Sequence, residues 1–307
     1  MSVFDYLEPH SVKQALSMLH KYGQDARIVA GSTDFLVRWR TGVWSPKYVV
    51  NLQHIPSLHL IKYSPRNGLR IGALVTVQEI ERNQMIRSKY PAFAAGATSF
   101  AGVQIRNLAT IGGNICNASP AGDTLPSLLA LAAKFKIAGP NGMRYVVADE
   151  FFVGPGKTVL ENGEILTEIC IPSPSYGSGS FYIKHSPRGA MDISAVGVAS
   201  NISISKDGLG CKDVKIALGS VSGTPIRAYG AEAKLSGSPI TKELIAEVSA
   251  IAASIASPID DVRASAEYRE LMVPVLVGRT LNKAISIARG EGTDFDEQRR
   301  LTIQTTF

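Results

Sequence analysis

The chain has 307 residues, of which 45% are hydrophobic, so it can bury one large core or a few smaller ones. Lysine and arginine exceed aspartate and glutamate by 32 to 26, but the basic residues are spread along the chain and do not indicate a nucleic-acid-binding surface. No stretch approaches the roughly 20 apolar residues of a membrane helix, and the N-terminus lacks a signal-peptide pattern. We therefore expect a folded cytoplasmic protein without a membrane span.

The first elements predicted are a helix and two short strands. Apolar residues recur at helical spacing after Ser11, and Gly23 then ends the pattern. Strands are predicted over 27–30 and 47–52. The segment AGSTDFL follows the first strand, and its Gly31 permits a tight turn that exposes hydroxyl, carboxylate and backbone N–H groups.

A hairpin and a helix start come next. The runs 58–63 and 69–74 flank Asn67-Gly68, a pair that suits a turn with positive φ. Thr76 and Glu79 then match the capping box at the start of a helix.

The remaining pattern is helical up to about residue 135 and then rich in strands. A helix is predicted over 92–100, and Asp123 stands at the first turn of an apolar helix predicted over 125–135. Later strands are predicted at 136–138, 143–147, 165–171, 181–185, 193–204 and 214–221, and later helices at 241–255 and 264–288.

This element order predicts an α+β protein of two main domains, separated by the Ser-, Pro- and Gly-rich segment 172–179. No fixed-length repeat is present. A doubly wound dinucleotide fold fits poorly, because the first strand is followed by GSTD and lacks the GxGxxG triad.

The segment TIGGN, residues 110–114, is the most informative one for chemistry. Adjacent glycines remove the Cβ atoms that would keep an anion away from backbone N–H groups. Asp123, further along, suits either a ligand hydroxyl or its own helix start. On these residues alone a structural turn and a ligand loop are equal alternatives. The conjunction of TIGGN with AGSTD favours a ligand loop, because two such loops can converge on one diphosphate.

Two other patterns indicate no chemistry. GPGKT resembles the end of a phosphate-binding P-loop, but Phe151 stands where that motif needs glycine, so a Gly/Pro turn is predicted. Cys116, Cys170 and Cys211 are far apart and the five histidines are dispersed, so neither a zinc nor an iron–sulfur site is predicted in this chain.

The segments AGSTDFL, QIRNLATIGGNICNASPAGDTLP, FFVGPGKT, FYIKHSPRGAMDISAV and SAEYR together resemble the FAD-binding medium subunits of molybdenum hydroxylases, the family of xanthine dehydrogenase and carbon monoxide dehydrogenase. The resemblance spans nearly the whole chain. It implies an FAD-binding domain of the vanillyl-alcohol-oxidase-like (PCMH) type at 1–175, with subdomains near 1–56 and 57–175. It further implies a CO-dehydrogenase-flavoprotein-like domain of a small sheet plus helices at 176–290, and a tail at 291–307.

The resemblance also implies the residues that contact FAD. Two loops would hold the diphosphate, Asp123 would be an acidic contact and Leu166 an apolar one. Lys184 would lie near the flavin. Phe100 and Ile193 would lie beside the flavin ring, or would simply be core residues. The predicted cofactor-binding residues are Ile28, Val29, Ala30, Gly31, Ser32, Thr33, Asp34, Phe35, Phe100, Thr110, Ile111, Gly112, Gly113, Asn114, Asp123, Leu166, Lys184 and Ile193.

The chain departs from the family pattern in a few places. Ser32 stands where many relatives have glycine, so one loop amide is expected to be less free while binding is kept. Cys116 stands where alanine is common and is interpreted as a small buried residue. Arg106 and Asn107 either reach a ligand or brace the loop. No inserted cysteine-bearing segment is present, so the extra [4Fe–4S] cluster of hydroxybenzoyl-CoA reductase relatives is not expected.

The function implied by the resemblance is electron transfer. Electrons would leave a substrate at the molybdenum–pterin cofactor of a large subunit and pass through [2Fe–2S] clusters of a small subunit. They would then reach FAD in this chain and an external acceptor, within a dimer of heterotrimers. The chain itself would need no catalytic acid or base and no metal. The alternatives are an independent flavin oxidase or dehydrogenase and a scaffold that has this fold without FAD.

Overall fold

The computed structural model of the chain describes residues 3–189 and 191–291. Ala190 and all of the expected C-terminal tail except Glu291 lie outside the described residues. Within the described residues, helices pack around a three-stranded parallel sheet and antiparallel sheets of five, four and two strands, which confirms the α+β class.

The first sheet is parallel and has the strand order β1-β3-β2. The predicted helix is confirmed as α1: the Ser11 hydroxyl accepts from the Gln14 N–H, and Gly23 ends the helix with φ 54°. Helix α2, only six residues long, was not predicted. The elements are β1 (Asp5–Leu7), α1 (Val12–Tyr22), β2 (Ala26–Val29), α2 (Phe35–Arg40) and β3 (Tyr48–Asn51).

The second sheet is antiparallel and has the order β4-β5-β10-β6-β7. The elements of this part are β4 (Ile61–Ser64), β5 (Gly68–Gly72), α3 (Val77–Arg82), α4 (Gln84–Lys89), α5 (Pro91–Ser99), α6 (Val103–Arg106), α7 (Ile111–Asn117), α8 (Leu125–Ala130), β6 (Lys134–Gly139), β7 (Gly142–Val147), α9 (Ala148–Phe151), β8 (Phe152–Gly154), β9 (Lys157–Thr158) and β10 (Ile165–Ile171).

Three local predictions in this part are confirmed. The hairpin β4–β5 turns at Gly68, whose φ is 71°. The capping box at the start of α3 has both of its hydrogen bonds, from Glu79 N–H to the Thr76 hydroxyl and from Thr76 N–H to the Glu79 carboxylate. GPGKT forms a turn with Gly156 at φ 69° between β8 and β9, and not a P-loop.

Two predictions in this part are wrong. The segment after Thr110 is the helix α7 and not a loop. The helix predicted over 125–135 ends at Ala130, because Ala132 takes a left-handed conformation with φ 52° and the chain then enters β6. The sequence does not show this boundary, because α8 is buried, β6 is buried in part and the residues between them are apolar.

The last part is a four-stranded antiparallel sheet covered by helices. Strands β11–β14 are ordered in sequence, and α10, α11 and α12 pack on them and on one another. The elements are β11 (Ser178–His185), β12 (Val196–Ile204), β13 (Cys211–Gly219), β14 (Ile226–Arg227), α10 (Tyr229–Leu235), α11 (Lys242–Ala253) and α12 (Ala266–Ala288).

Helix α12 corrects one expectation. By length and composition it could cross a membrane, although the sequence was expected to hold no such segment. In the structure its buried face packs against β11 and β12. Helices α5 and α8 pack on the sheet formed by β11, β12 and β13 from the other direction, so the apolar core continues from the second sheet into the third.

Candidate functional site

A cleft of about 660 Å³ lies between the parallel sheet and the second sheet. Ligand pockets of proteins usually have volumes of about 300–1,000 Å³, so the cleft can hold a sizeable organic molecule. Among the predicted site residues, the cleft is lined by Ile28, Val29, Ala30, Gly31, Ser32, Thr33, Asp34, Phe35, Phe100, Thr110, Gly112, Gly113, Asn114 and Leu166.

The first wall of the cleft is the loop between β2 and α2. The backbone N–H groups of residues 31–35 donate to no acceptor in the described part of the chain. Gly31 has to be glycine for packing, because a Cβ atom there would lie 1.9 Å from the carbonyl oxygen of Leu108. A row of unused N–H groups beside a cleft is a typical arrangement for binding an anion.

Ser32 has φ 61°, a left-handed conformation that costs most residues about 1–2 kcal/mol and costs glycine nothing. The structure therefore explains why glycine suits this position. We expect Ser32→Val to lower the free energy of unfolding by about 1–2 kcal/mol, because a β-branched side chain is the least tolerant of positive φ. Urea unfolding measures the loss, with Ser32→Gly as the control. Equal stability of the valine and glycine variants would contradict this account of the loop.

The second wall is helix α7, and it differs from the expected anion loop. Its first N–H groups already have acceptors inside the protein: Ile111 donates to the carbonyl of Val75, and Gly112 donates to that of Ala73 at 2.8 Å. Gly113 N–H donates to the Thr110 hydroxyl at 3.1 Å, which caps the helix. This wall can therefore contact a ligand by its surface, but it offers the ligand no free N–H group at residues 111–113.

The two glycines of this wall have different surroundings. A Cβ atom on Gly112 would lie 2.6 Å from the carbonyl oxygen and 2.7 Å from the Cβ of Ala73. A Cβ atom on Gly113 would point into accessible space and meet only the Thr110 hydroxyl, at 2.9 Å. Gly112 thus keeps the helix close to the sheet, whereas Gly113 keeps the cleft open.

Four predicted site residues do not line the cleft. Ile111 is fully buried in the core. Ile193 lies on the surface and is 47% exposed. Asp123 and Lys184 are buried and form an ion pair with 2.9 Å between Oδ2 and Nζ. Contacts of these four residues with a ligand therefore stay predictions.

The Asp123–Lys184 pair joins the second sheet's helices to the third sheet. The ammonium group of Lys184, on β11, also donates to the carbonyl oxygens of Ser99 at 3.0 Å and Asp192 at 2.6 Å. The Tyr182 hydroxyl donates to Asp123 at 3.3 Å. Asp123, Ser99 and Asp192 together provide acceptors for all three ammonium protons of Lys184. Burial raises the pKa of Asp123 to about 6, against the opposing effect of Lys184.

At the end of the cleft near Phe100, Arg106 braces the backbone and does not reach into the cleft. Its Nη1 donates to the carbonyl oxygens of Phe100 and Ala101, each at 3.0 Å. Its Nε lies 2.9 Å from the carboxylate of Glu81. Of the two roles left open for Arg106, the structure supports bracing the loop.

Sequence reasoning missed several residues that line the cleft. Arg27, Arg38, Trp44 and Asn117 lie there, outside the two predicted diphosphate loops at 28–35 and 110–114. Cys116 also lines the cleft and is accessible to solvent, so its interpretation as a buried residue is wrong. The helical spacing of Ile111 and Ile115 after a capping Thr110 was the signal that would have placed Cys116 on a helix face.

Two family models match the chain. The FAD binding domain in molybdopterin dehydrogenase matches residues 2–174, and the CO dehydrogenase flavoprotein C-terminal domain matches residues 181–284.

Individual relatives agree with these models. A putative xanthine dehydrogenase FAD-binding subunit of Escherichia coli (strain K12) is 31% identical over 293 residues, covering 94% of this chain and 99% of that one. The carbon monoxide dehydrogenase medium chain of Hydrogenophaga pseudoflava is 32% identical, covering 92% and 96%. Among solved structures, reconstituted CO dehydrogenase from Oligotropha carboxidovorans aligns with a TM-score of 0.88 at 32% identity, covering 93% of this chain and 98% of that one.

Proposed function

Because this chain belongs to the family of FAD-binding medium subunits of molybdenum hydroxylases, we propose that it passes electrons from the [2Fe–2S] clusters of a partner subunit through FAD to an external acceptor. It is a subunit of an oxidoreductase. The observation that carries the proposal is the cleft. One of its walls presents unused N–H groups at residues 31–35. On the other wall Gly112 keeps helix α7 close to the second sheet, and Gly113 leaves the cleft open.

The residues of the cleft fit FAD. The N–H groups of the β2–α2 loop would hold the diphosphate, and Gly113 leaves room for it to approach α7. Phe100 and Leu166 also line the cleft and offer apolar surface to a ring system. Bound FAD accepts electrons singly and releases them singly or as a hydride. The protein's part is to hold, orient and shield it.

The ring end of the cofactor is proposed to lie towards the third sheet. Lys184, predicted to lie near the flavin, is on β11 of this sheet and donates to the carbonyl oxygen of Ser99, next to Phe100 in the chain. Ile193, also predicted to lie near the flavin, precedes β12. A buried ammonium near the ring would favour the reduced, more negative flavin electrostatically. This arrangement would let the C-terminal domain affect the flavin's reduction potential without contacting the diphosphate.

The partners proposed are a large molybdenum–pterin subunit and a small [2Fe–2S] subunit, arranged as a dimer of heterotrimers in the cytoplasm. The description of relatives as medium chains supports a multi-subunit assembly. Within the described residues, no group of three or more histidine, cysteine, aspartate or glutamate side chains could hold a metal ion. We also propose the domain division at 1–175 and 176–290, which the ends of the two matching family models support.

Purification of the chain with and without its partner subunits tests the function. We expect one flavin per chain, released unchanged by denaturation as FAD. Reducing substrate should reduce this flavin rapidly only when the molybdenum and [2Fe–2S] subunits are present. Flavin reduction by a small substrate in the isolated chain would favour an independent dehydrogenase, and a folded chain without affinity for FAD would favour a scaffold.

A further inference from the structure

Two arginines and a tryptophan form a stack at the cleft, and no part of the proposed FAD site yet uses it. The guanidinium carbon of Arg27 lies 4.1 Å from the centre of the Trp44 ring, and that of Arg38 lies 4.6 Å from it. All three residues line the cleft. Stacking on an aromatic ring holds a guanidinium group in place without using its N–H donors.

Arg38 keeps most of its donors free. Its Nη2 donates to the Asn117 side-chain oxygen at 2.8 Å, and it forms no ion pair within residues 3–189 and 191–291. The Asn117 side chain in turn donates to Asp34 at 3.3 Å. Asn117, at the end of α7, thus holds Arg38 beside the loop that carries the unused N–H groups.

The charged side chains that line the cleft allow an anion to bind there. Of its three acidic lining residues, Glu164 is bound by Arg144 at 2.7 Å, Asp34 accepts from Asn117, and Glu161 is exposed to solvent. Burial, together with the positive charge of Arg38, lowers the pKa of Arg27. Two neighbouring cations that disfavour each other are stabilised when an anion binds between or beside them.

We propose that Arg38, held by Asn117 and stacked with Arg27 on Trp44, supplies the positive charge that binds the diphosphate of FAD. The inference rests on the proposed function. It follows from the state of the second wall: the N–H groups of Ile111, Gly112 and Gly113 already have acceptors, so this wall supplies the dianionic diphosphate with no free amide at these positions. A guanidinium group with free donors is the group best suited to replace them.

The test compares FAD with riboflavin, which has the same ring and no phosphate. Binding to the flavin-free chain is measured by titration for wild type, Arg38→Gln and Arg40→Gln, the last being an exposed arginine on the same helix that does not line the cleft. Arg38→Gln should weaken FAD binding on the order of tenfold or more and leave riboflavin binding unchanged, as expected for the loss of a charge-assisted contact. Arg40→Gln should change neither.

Salt gives a second measurement that needs no variant. The wild-type affinity for FAD should fall as KCl is raised, and the fall should be shallower in Arg38→Gln. If Arg38→Gln does not fold, Arg27→Gln is titrated in its place, with a smaller loss of FAD affinity expected because Arg27 is more exposed. Equal losses for FAD and riboflavin, or no loss beyond that of Arg40→Gln, would overturn the inference alone. A wild-type chain that binds no FAD would overturn it together with the proposed function.

Discussion

Replacing Lys184 by methionine is expected to lower the free energy of unfolding by about 3–5 kcal/mol, the usual cost of removing one partner from a buried ion pair. The reason is local: the substitution leaves the Asp123 carboxylate buried without its cation, and removes the donor to the carbonyl oxygens of Ser99 and Asp192. Urea unfolding followed by circular dichroism measures the loss. Lys234→Met, at an exposed pair with Glu247, is the matched control and should change stability little.

The loss should depend on pH in a defined direction. Burial raises the pKa of Asp123 from 3.8 to about 6, so the folded state holds this proton more tightly than the unfolded state does. The stability contributed by the proton is present below pH 3.8 and is lost as the pH rises through about 6. Removing the Lys184 charge raises the pKa further. The difference between wild type and Lys184→Met should therefore be larger at pH 8 than at pH 5.

The double variant Asp123→Asn/Lys184→Met separates the charge effect from packing. With both charges absent, much of the lost stability should return, giving a coupling of about 0.5–3 kcal/mol between the two positions. Additive losses would show that Lys184 acts mainly through the carbonyl oxygens of Ser99 and Asp192. A loss that is the same at pH 5 and pH 8 would show that Asp123 does not carry the penalty.

Local signals were enough to predict much of the fold. The capping box at Thr76 and Glu79 and the turn at Gly68 depend on hydrogen bonds and backbone angles within a few residues, and the structure has both. Helix α7 shows where such reasoning fails. Its glycines indicated a loop, but long-range hydrogen bonds from Ile111 and Gly112 to Val75 and Ala73 fix it as a helix against β5's end.

The candidate site was predicted only in part, because only some of its residues carry a local signal in the sequence. Segments 28–35 and 110–114 were located by their glycines, and the structure brings residues from both to one cleft. The Arg27–Trp44–Arg38 stack lacks a local signature, because its members come from a strand, a loop and a helix. The role of Asp123 was also hidden, since its partner Lys184 lies 61 positions away, on strand β11.

The contrast between the two glycines of α7 gives the second large expected effect. Gly113→Val should fold and lose stoichiometric FAD, because its side chain would enter the cleft and its Cβ would meet only the Thr110 hydroxyl, at 2.9 Å. Gly112→Val should fail to fold stably, because its Cβ would lie 2.6 Å from the backbone oxygen of Ala73, which cannot move without disturbing the sheet. The two variants differ by one position and should fail for different reasons.

Flavin content and thermal unfolding, measured on the same preparations, distinguish these reasons. Gly230→Val, at an exposed helical glycine outside the cleft, shows what a valine costs a helix and should retain both fold and flavin. Stoichiometric FAD in a folded Gly113→Val variant would mean that α7 does not face the cofactor. A folded, flavin-free Gly112→Val variant would mean that this glycine, too, serves the approach of the ligand, and that the contact with Ala73 yields. Either result would mean that the proposed position of the diphosphate relative to α7 is wrong, since only Gly113 has open space in front of it.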